Sequence, residues 1–202
     1  MTLERLRPVT DALLRPMVKA SITLGLGPHA LSIIGFLLAV GGAASFILGS
    51  ELRWWYLTAT LFVALSGVFD LLDGAVAREQ GIASDSGDVL DHTLDRYADI
   101  VLVGGMALAV DQLLIGFLAV TGVLMTSYLG TQAQAVDFGR LYAGFLGRAD
   151  RLALIGFVGV LMTASSDPIM GFTAIGWLLL LFAFIGHLTA VQRFVVLWRG
   201  LS

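Results

Sequence analysis

The chain has 202 residues, of which 57% are hydrophobic and only 13% charged, and its mean hydropathy is +0.89. A composition this apolar excludes an ordinary soluble domain and points to a membrane protein, while the formal net charge of -3 argues against a nucleic-acid partner. With no cysteine, disulfides, thiolate nucleophiles and zinc-thiolate sites are also excluded.

Residues 1–22 carry Arg5, Arg7, Arg15 and Lys19 ahead of the first long apolar stretch. Leu3, Leu6, Leu13 and Met17 recur at roughly helical spacing, and Pro8 and Pro16 limit any continuous helix. The segment reads as a juxtamembrane interfacial helix; a plain charged anchor is the alternative. A spanning helix needs about 20 mostly apolar residues. Six stretches qualify as candidates, near 28–49, 54–77, 86–110, 112–135, 149–165 and 169–197. The expected fold is therefore all-α, an integral membrane bundle of six transmembrane helices with an N-terminal interfacial helix, forming one domain over 1–202. Six spans put the N-terminus, the 78–85 and 136–148 loops and the C-terminus on one side, with nearly all the Lys and Arg. The other side holds Arg53 with Glu51, Asp111 and Asp167. The basic side is expected to be cytoplasmic in a multi-pass cell-membrane protein.

The informative stretch is residues 70–99, DLLDGAVAREQGIASDSGDVLDHTLDRYAD. Ionisable residues inside spans are costly and mark function by default. Asp70 and Asp73 are three apart and Asp91 and Asp95 four apart, so each pair shares a helix face. A short loop with Gly81 and Gly87 predicts antiparallel neighbouring helices whose carboxylates face one gap near the cytoplasmic surface. Two unit charges about 4 Å apart cost roughly 4 kcal/mol at an effective dielectric of 20. Either some of the four are protonated or cations lie between them. An all-oxygen set suits Mg²⁺, with Mn²⁺ or Ca²⁺ as alternatives. Gly74 and Ala77 would leave a floor nearly free of side chains, and Arg78 offers a forked phosphate donor at its rim. Asp85, Asp88 and Glu79 read as capping or solvated acids. Asp99 reads as a partner for Arg96.

The pattern Asp70-x2-Asp73-Gly74-x2-Ala77-Arg78-x8-Gly87-x3-Asp91-x3-Asp95 resembles the complete signature of the CDP-alcohol phosphotransferases. This resemblance implies an enzyme that cleaves the pyrophosphate of a CDP-linked lipid donor, releases CMP and forms a phosphodiester with an alcohol. It implies that Asp70, Asp73, Asp91 and Asp95 hold two divalent ions, Mg²⁺ or Mn²⁺, and that Asp95 also serves as general base. Gly74, Ala77, Arg78 and Gly87 would line the CDP site, with Ser84 toward the donor. Gly27-Pro28-His29-Ala30-Leu31-Ser32 resembles the family's segment beside the nucleotide and adds His29 and Ser32, although His29 alone also reads as a surface residue. The resemblance further implies a homodimer.

For the acceptor, Ser127-Tyr128, the Arg148-x-x-Arg151-Leu152 motif and Arg193 resemble the phosphatidylinositol phosphate and archaetidylinositol phosphate synthases. Arg148, Arg151 and Arg193 would then receive the phosphate of a polyol phosphate; positive-inside bias explains the same arginines equally well. The chain departs from those enzymes at Gly130 and Gln132, where they carry a lysine and an arginine. That leaves inositol phosphate, glycerol phosphate, another polyol or an amino alcohol open. His92, beside Asp91, reads as packed or solvent-exposed, with a position facing the acceptor as the alternative. The lipid donor could be a diacylglycerol or an archaeol derivative. The competing class is a cation- or proton-coupled transporter, which predicts acids near the midplane and broken helices in paired halves.

Overall fold

The computed structural model describes residues 7–139, 141, 144 and 146–201, with side chains from Leu14 onward. The protein is all-helical. In chain order the helices are α1 (Arg7–Thr23), α2 (Pro28–Gly49), α3 (Trp54–Gln80), α4 (Asp85–Ala109), α5 (Leu113–Ala135), α6 (Arg148–Ala164) and α7 (Ala174–Leu201). Every expected span falls on a helix. The sixth begins later than the apolar run because Ile169 and Phe172 pair across a turn, with Met170 and Gly171 at positive φ. Four helices, α2, α3, α5 and α7, are long and apolar enough to cross a membrane. Helix α4 has 25 residues but carries aspartates from Asp85 through Asp99, and α6 has only 17.

Local chemistry sets the helix ends that matter for the site. Gly27, extended, leads into Pro28 at the start of α2, where the missing N–H costs nothing. Gly81 closes α3 in the left-handed region at φ 65°; its N–H bonds to the Arg78 carbonyl and that of Ile82 to the Ala77 carbonyl. This is the paired C-terminal motif that satisfies the last carbonyls. Ser84 then caps α4, its Oγ accepting the Gly87 N–H at 3.3 Å.

The turn from Gly81 to Ser84 does not make α3 and α4 packed neighbours, contrary to the sequence expectation. The main partners of α3 are α2 and α6, and those of α4 are α2 and α5. The reason is the small-residue surface of α2. Gly35 brings α2 onto the α3 backbone beside Ser66, Phe69 and Asp70, and a Cβ on Gly105 of α4 would lie within 2.9 Å of the Ala43 backbone. Close approach through small residues is how helices associate in lipid. Helix α2 therefore fills the angle between α3 and α4, and α6 closes the opposite side. The core beneath is built from Ala39, Phe46, Val63, Leu102, Met106, Ile155, Leu179 and Phe182.

Helix α1 also departs from expectation. It continues through Pro16, and among its described side chains the buried ones are Leu14, Val18 and Ser21, whereas Met17 is exposed. Leu14 and Val18 pack with Leu31, Leu72 and Val76, and that apolar contact outweighs the hydrogen bond lost at the proline. Leu3 and Leu6, and the side chain of Leu13, lie outside the described residues.

Candidate active site

Asp70 and Asp73 project from α3, and Asp91 and Asp95 from α4, into one small cavity. Its remaining wall includes Ser32, Gly35, Ser66, Ala98 and Arg148. Asp73 and Asp95 are buried, and Asp70 and Asp91 half-buried. Ser32 Oγ donates to Asp73 Oδ2 at 2.6 Å, which ties the start of α2 to the site. Arg148, the first residue of α6, inserts its Nη1 between Asp95 Oδ1, at 2.6 Å, and Asp70 Oδ1. The guanidinium thus offsets part of the carboxylate repulsion that the sequence exposes.

One turn deeper, Arg151 Nη2 donates to Asp99 Oδ2 at 2.6 Å, with both side chains buried. The expected Asp99–Arg96 pairing is not what forms. Asp99 faces α6, while Arg96 turns back to Asp95 Oδ2 at 3.5 Å. Helix α6 is itself held at its start by Asp150 Oδ2, which accepts the Gly147 N–H at 3.0 Å. Two charge pairs one turn apart therefore fasten α6 to α4.

The donor set fits a hard divalent cation. Oxygens of Asp91 and Asp95 and a ring nitrogen of His92 lie within 4.8 Å of one another, and the carboxylates of Asp70 and Asp73 line the adjoining cavity wall. His92 itself is exposed and sits 3.8 Å from Asp88.

A second cavity, of about 380 Å³, opens beside the first and shares Ser32, Asp73 and Asp91 with it. All seven residues expected at the CDP site line it: His29, Ser32, Gly74, Ala77, Arg78, Ser84 and Gly87. The missing side chains have a direct use. The Arg78 guanidinium lies over Gly74, where a Cβ would sit 3.2 Å from Nη1, and His29 Cε1 would lie 3.4 Å from a Cβ on Gly87. Asp88, expected to be a solvated acid, lines this cavity too.

A third cavity, of about 570 Å³, lies on the other face of α4. His92, Arg96, Ser127, Tyr128, Gly130, Thr131, Gln134 and Arg193 are among its lining residues. Of the three arginines expected at the acceptor, only Arg193 reaches this space; Arg148 and Arg151 are engaged with Asp70, Asp95 and Asp99. The sequence reading missed Arg96 as a neighbour of Asp95, although an arginine inside a span is itself a signal. It also missed Gly35 and Ser66, which single-residue chemistry does not mark.

The family model "CDP-alcohol phosphatidyltransferase" matches residues 26–197. The chain is 31% identical to the archaetidylinositol phosphate synthase of Methanothermobacter thermautotrophicus, over 99% of this chain and 96% of that protein. It is 32% identical to the phosphatidylinositol phosphate synthase of Mycolicibacterium smegmatis, over 70% of this chain and 64% of that one. Among solved structures, the fold resembles the Mycobacterium tuberculosis phosphatidylinositol phosphate synthase with manganese and citrate. The TM-score there is 0.77 at 26% identity, covering 91% of this chain and 88% of that one. The same enzyme with CDP-DAG bound matches with a TM-score of 0.76 at 25% identity, covering 95% and 94%.

Proposed function

The chain belongs to the CDP-alcohol phosphatidyltransferase family, and from that premise we propose that it transfers a phosphatidyl-type group, on a diacylglycerol or archaeol backbone, from a CDP-lipid to a polyol phosphate and releases CMP. It is an enzyme of phospholipid biosynthesis, and membership of this family leaves the transporter reading without support. The observation that carries the assignment is the adjacency of two cavities, one lined by Asp70, Asp73, Asp91 and Asp95 and the other by the seven donor-site residues.

In this reading the cytidine and pyrophosphate occupy the 380 Å³ cavity. Gly74 and Gly87 let them approach the helix backbones, and Arg78 forks onto a phosphate oxygen. The apolar cleft between α3 and α6, which reaches Asp70, takes the lipid chains. Asp70, Asp73, Asp91 and Asp95 hold two divalent ions, Mg²⁺ or Mn²⁺, which when bound supply charge stabilisation on the pyrophosphate oxygens. Asp95 accepts the proton of the acceptor hydroxyl. The acceptor oxygen bonds to the lipid-side phosphorus as the bond from that phosphorus to the CMP oxygen breaks. Arg193, which lines the 570 Å³ cavity, orients the acceptor phosphate, whereas Arg148 and Arg151, expected to share that role, hold α6 against Asp70, Asp95 and Asp99.

We further propose that all of 1–202 is one domain and that α2 to α7 form six spans. Helix α1 would lie at the interface, the termini and active site would face the cytoplasm, and the enzyme would be a homodimer. The basic-residue bias supports the orientation, and the resemblance supports the dimer. The test is CMP release from a CDP-lipid in detergent with Mg²⁺, comparing inositol phosphate, glycerol phosphate, inositol and serine. Release that requires a phosphorylated polyol and stops on metal chelation is expected. Release indifferent to the acceptor would overturn the transferase assignment.

A further inference from the structure

Arg148 opens α6, directly after the extended Gly147. Its side chain is only 16% exposed. Nη1 donates to Asp70 Oδ1 on α3 and to Asp95 Oδ1 on α4, the latter at 2.6 Å. Its Nε is buried and has no hydrogen-bond partner among the described residues, so the described hold on this guanidinium comes from the two aspartates. The group is not a loose tail. Asp150 fixes the start of α6 by accepting the Gly147 N–H, and one turn deeper the buried pair of Arg151 with Asp99 fixes it again. Arg96 also reaches Asp95, more loosely, at 3.5 Å. Asp73 is engaged differently, by the neutral hydroxyl of Ser32. Arg148 therefore brings one fixed positive charge against two of the four carboxylates assigned to metal, one from each acidic helix.

We propose that Arg148 sets the divalent-ion affinity of the site and holds it low, by acting as an internal counter-cation on Asp70 and Asp95. This rests on the metal reading given under Proposed function. A guanidinium in contact with two carboxylates weakens the negative potential that a divalent ion meets there. The lone pairs that accept its N–H groups are also withdrawn from coordination. The same contact limits the repulsion between Asp70 and Asp95 across the gap between their helices. Arg148 is a positioning residue and acts through the two aspartates. Removing its charge while leaving the carboxylates in place separates two effects: the fold loses a partner, and the site gains affinity for cations. An arginine that only fastened α6 would give the opposite sign on metal, because the ligands it holds would drift apart.

The test is a titration of the purified protein in detergent with Mn²⁺, read from the electron paramagnetic resonance signal of the free ion, with melting curves before and after saturation. Arg148→Gln should bind Mn²⁺ about tenfold more tightly, or better. Its melting temperature should fall without added metal and recover most of that loss at saturating Mn²⁺, since an ion that binds only the folded state stabilises it. Arg148→Lys keeps the charge but not the planar fork, and its affinity should lie between those of wild type and Arg148→Gln. If Arg148→Gln does not yield folded protein, the lysine variant alone should still bind Mn²⁺ more tightly than wild type. A wild type that binds Mn²⁺ while either folded variant binds it equally or more weakly would overturn the role of Arg148 alone. A wild type that does not bind Mn²⁺ would overturn the metal reading and this inference with it.

Discussion

Asp95 carries more demands than any other side chain in the site. It is buried, contacts Arg148 at 2.6 Å and Arg96 at 3.5 Å, and lines the carboxylate cavity. If it is the base, Asp95→Asn should lower kcat by about 10²–10⁴-fold while donor affinity, measured by CDP-lipid binding, holds. A variant that still releases CMP at the wild-type rate would remove the assignment. Asp99 plays a different part, since its buried pair with Arg151 touches none of the carboxylates assigned to metal. Asp99→Asn leaves a guanidinium buried without its counter-charge, which should cost about 3–5 kcal/mol and be visible as lower thermal stability in detergent. Replacing both partners, as Asp99→Asn with Arg151→Gln, should recover part of that loss. A single variant as stable as wild type would show that the pair does not fasten α6.

At the level of elements, the site depends on how α3 hands over to α4. Gly81 is in the left-handed region and a Cβ there meets nothing within 4 Å, so Gly81→Ala should cost only the backbone strain, about 1 kcal/mol. A melting curve in detergent measures this directly, and a loss several times larger would mean that the turn carries contacts beyond its own conformation. Helix α2 serves as the wedge that holds the two acidic arms apart, and its glycines are what let both arms close onto it. Helix α6 brings Arg148 from the far side, and Ser32 ties α2 to Asp73. Each acidic arm is thus positioned by a helix other than its acidic partner.

For the whole molecule, the proposed topology puts Ser50 and Arg199 on opposite membrane faces, and both are exposed. The chain has no cysteine, so Ser50→Cys and Arg199→Cys are clean reporters. With a membrane-impermeant thiol reagent, Ser50→Cys should label in intact cells and Arg199→Cys only after permeabilisation. Labelling of both from outside would refute the proposed topology. Large apolar side chains such as Leu114, Phe117 and Phe184 point outward, as expected of a bundle whose solvent at mid-height is lipid.

The helical stretches and the acidic signature were legible in the sequence because each is a local pattern, whereas His29, Ser32 and Ser84 at the 380 Å³ cavity were expected only from the resemblance to the family. Hydropathy over about 20 residues is a property of one segment, and carboxylates three or four apart share a face whatever surrounds them. The partners across helices were not legible. That α2 rather than α4 packs on α3, that Asp99 meets Arg151, and that Arg148 reaches both Asp70 and Asp95 all depend on which small residues allow two backbones to approach. Such contacts join residues far apart in the chain, and no spacing rule within one helix encodes them; only the packed bundle selects one pairing from the many that charge and size permit.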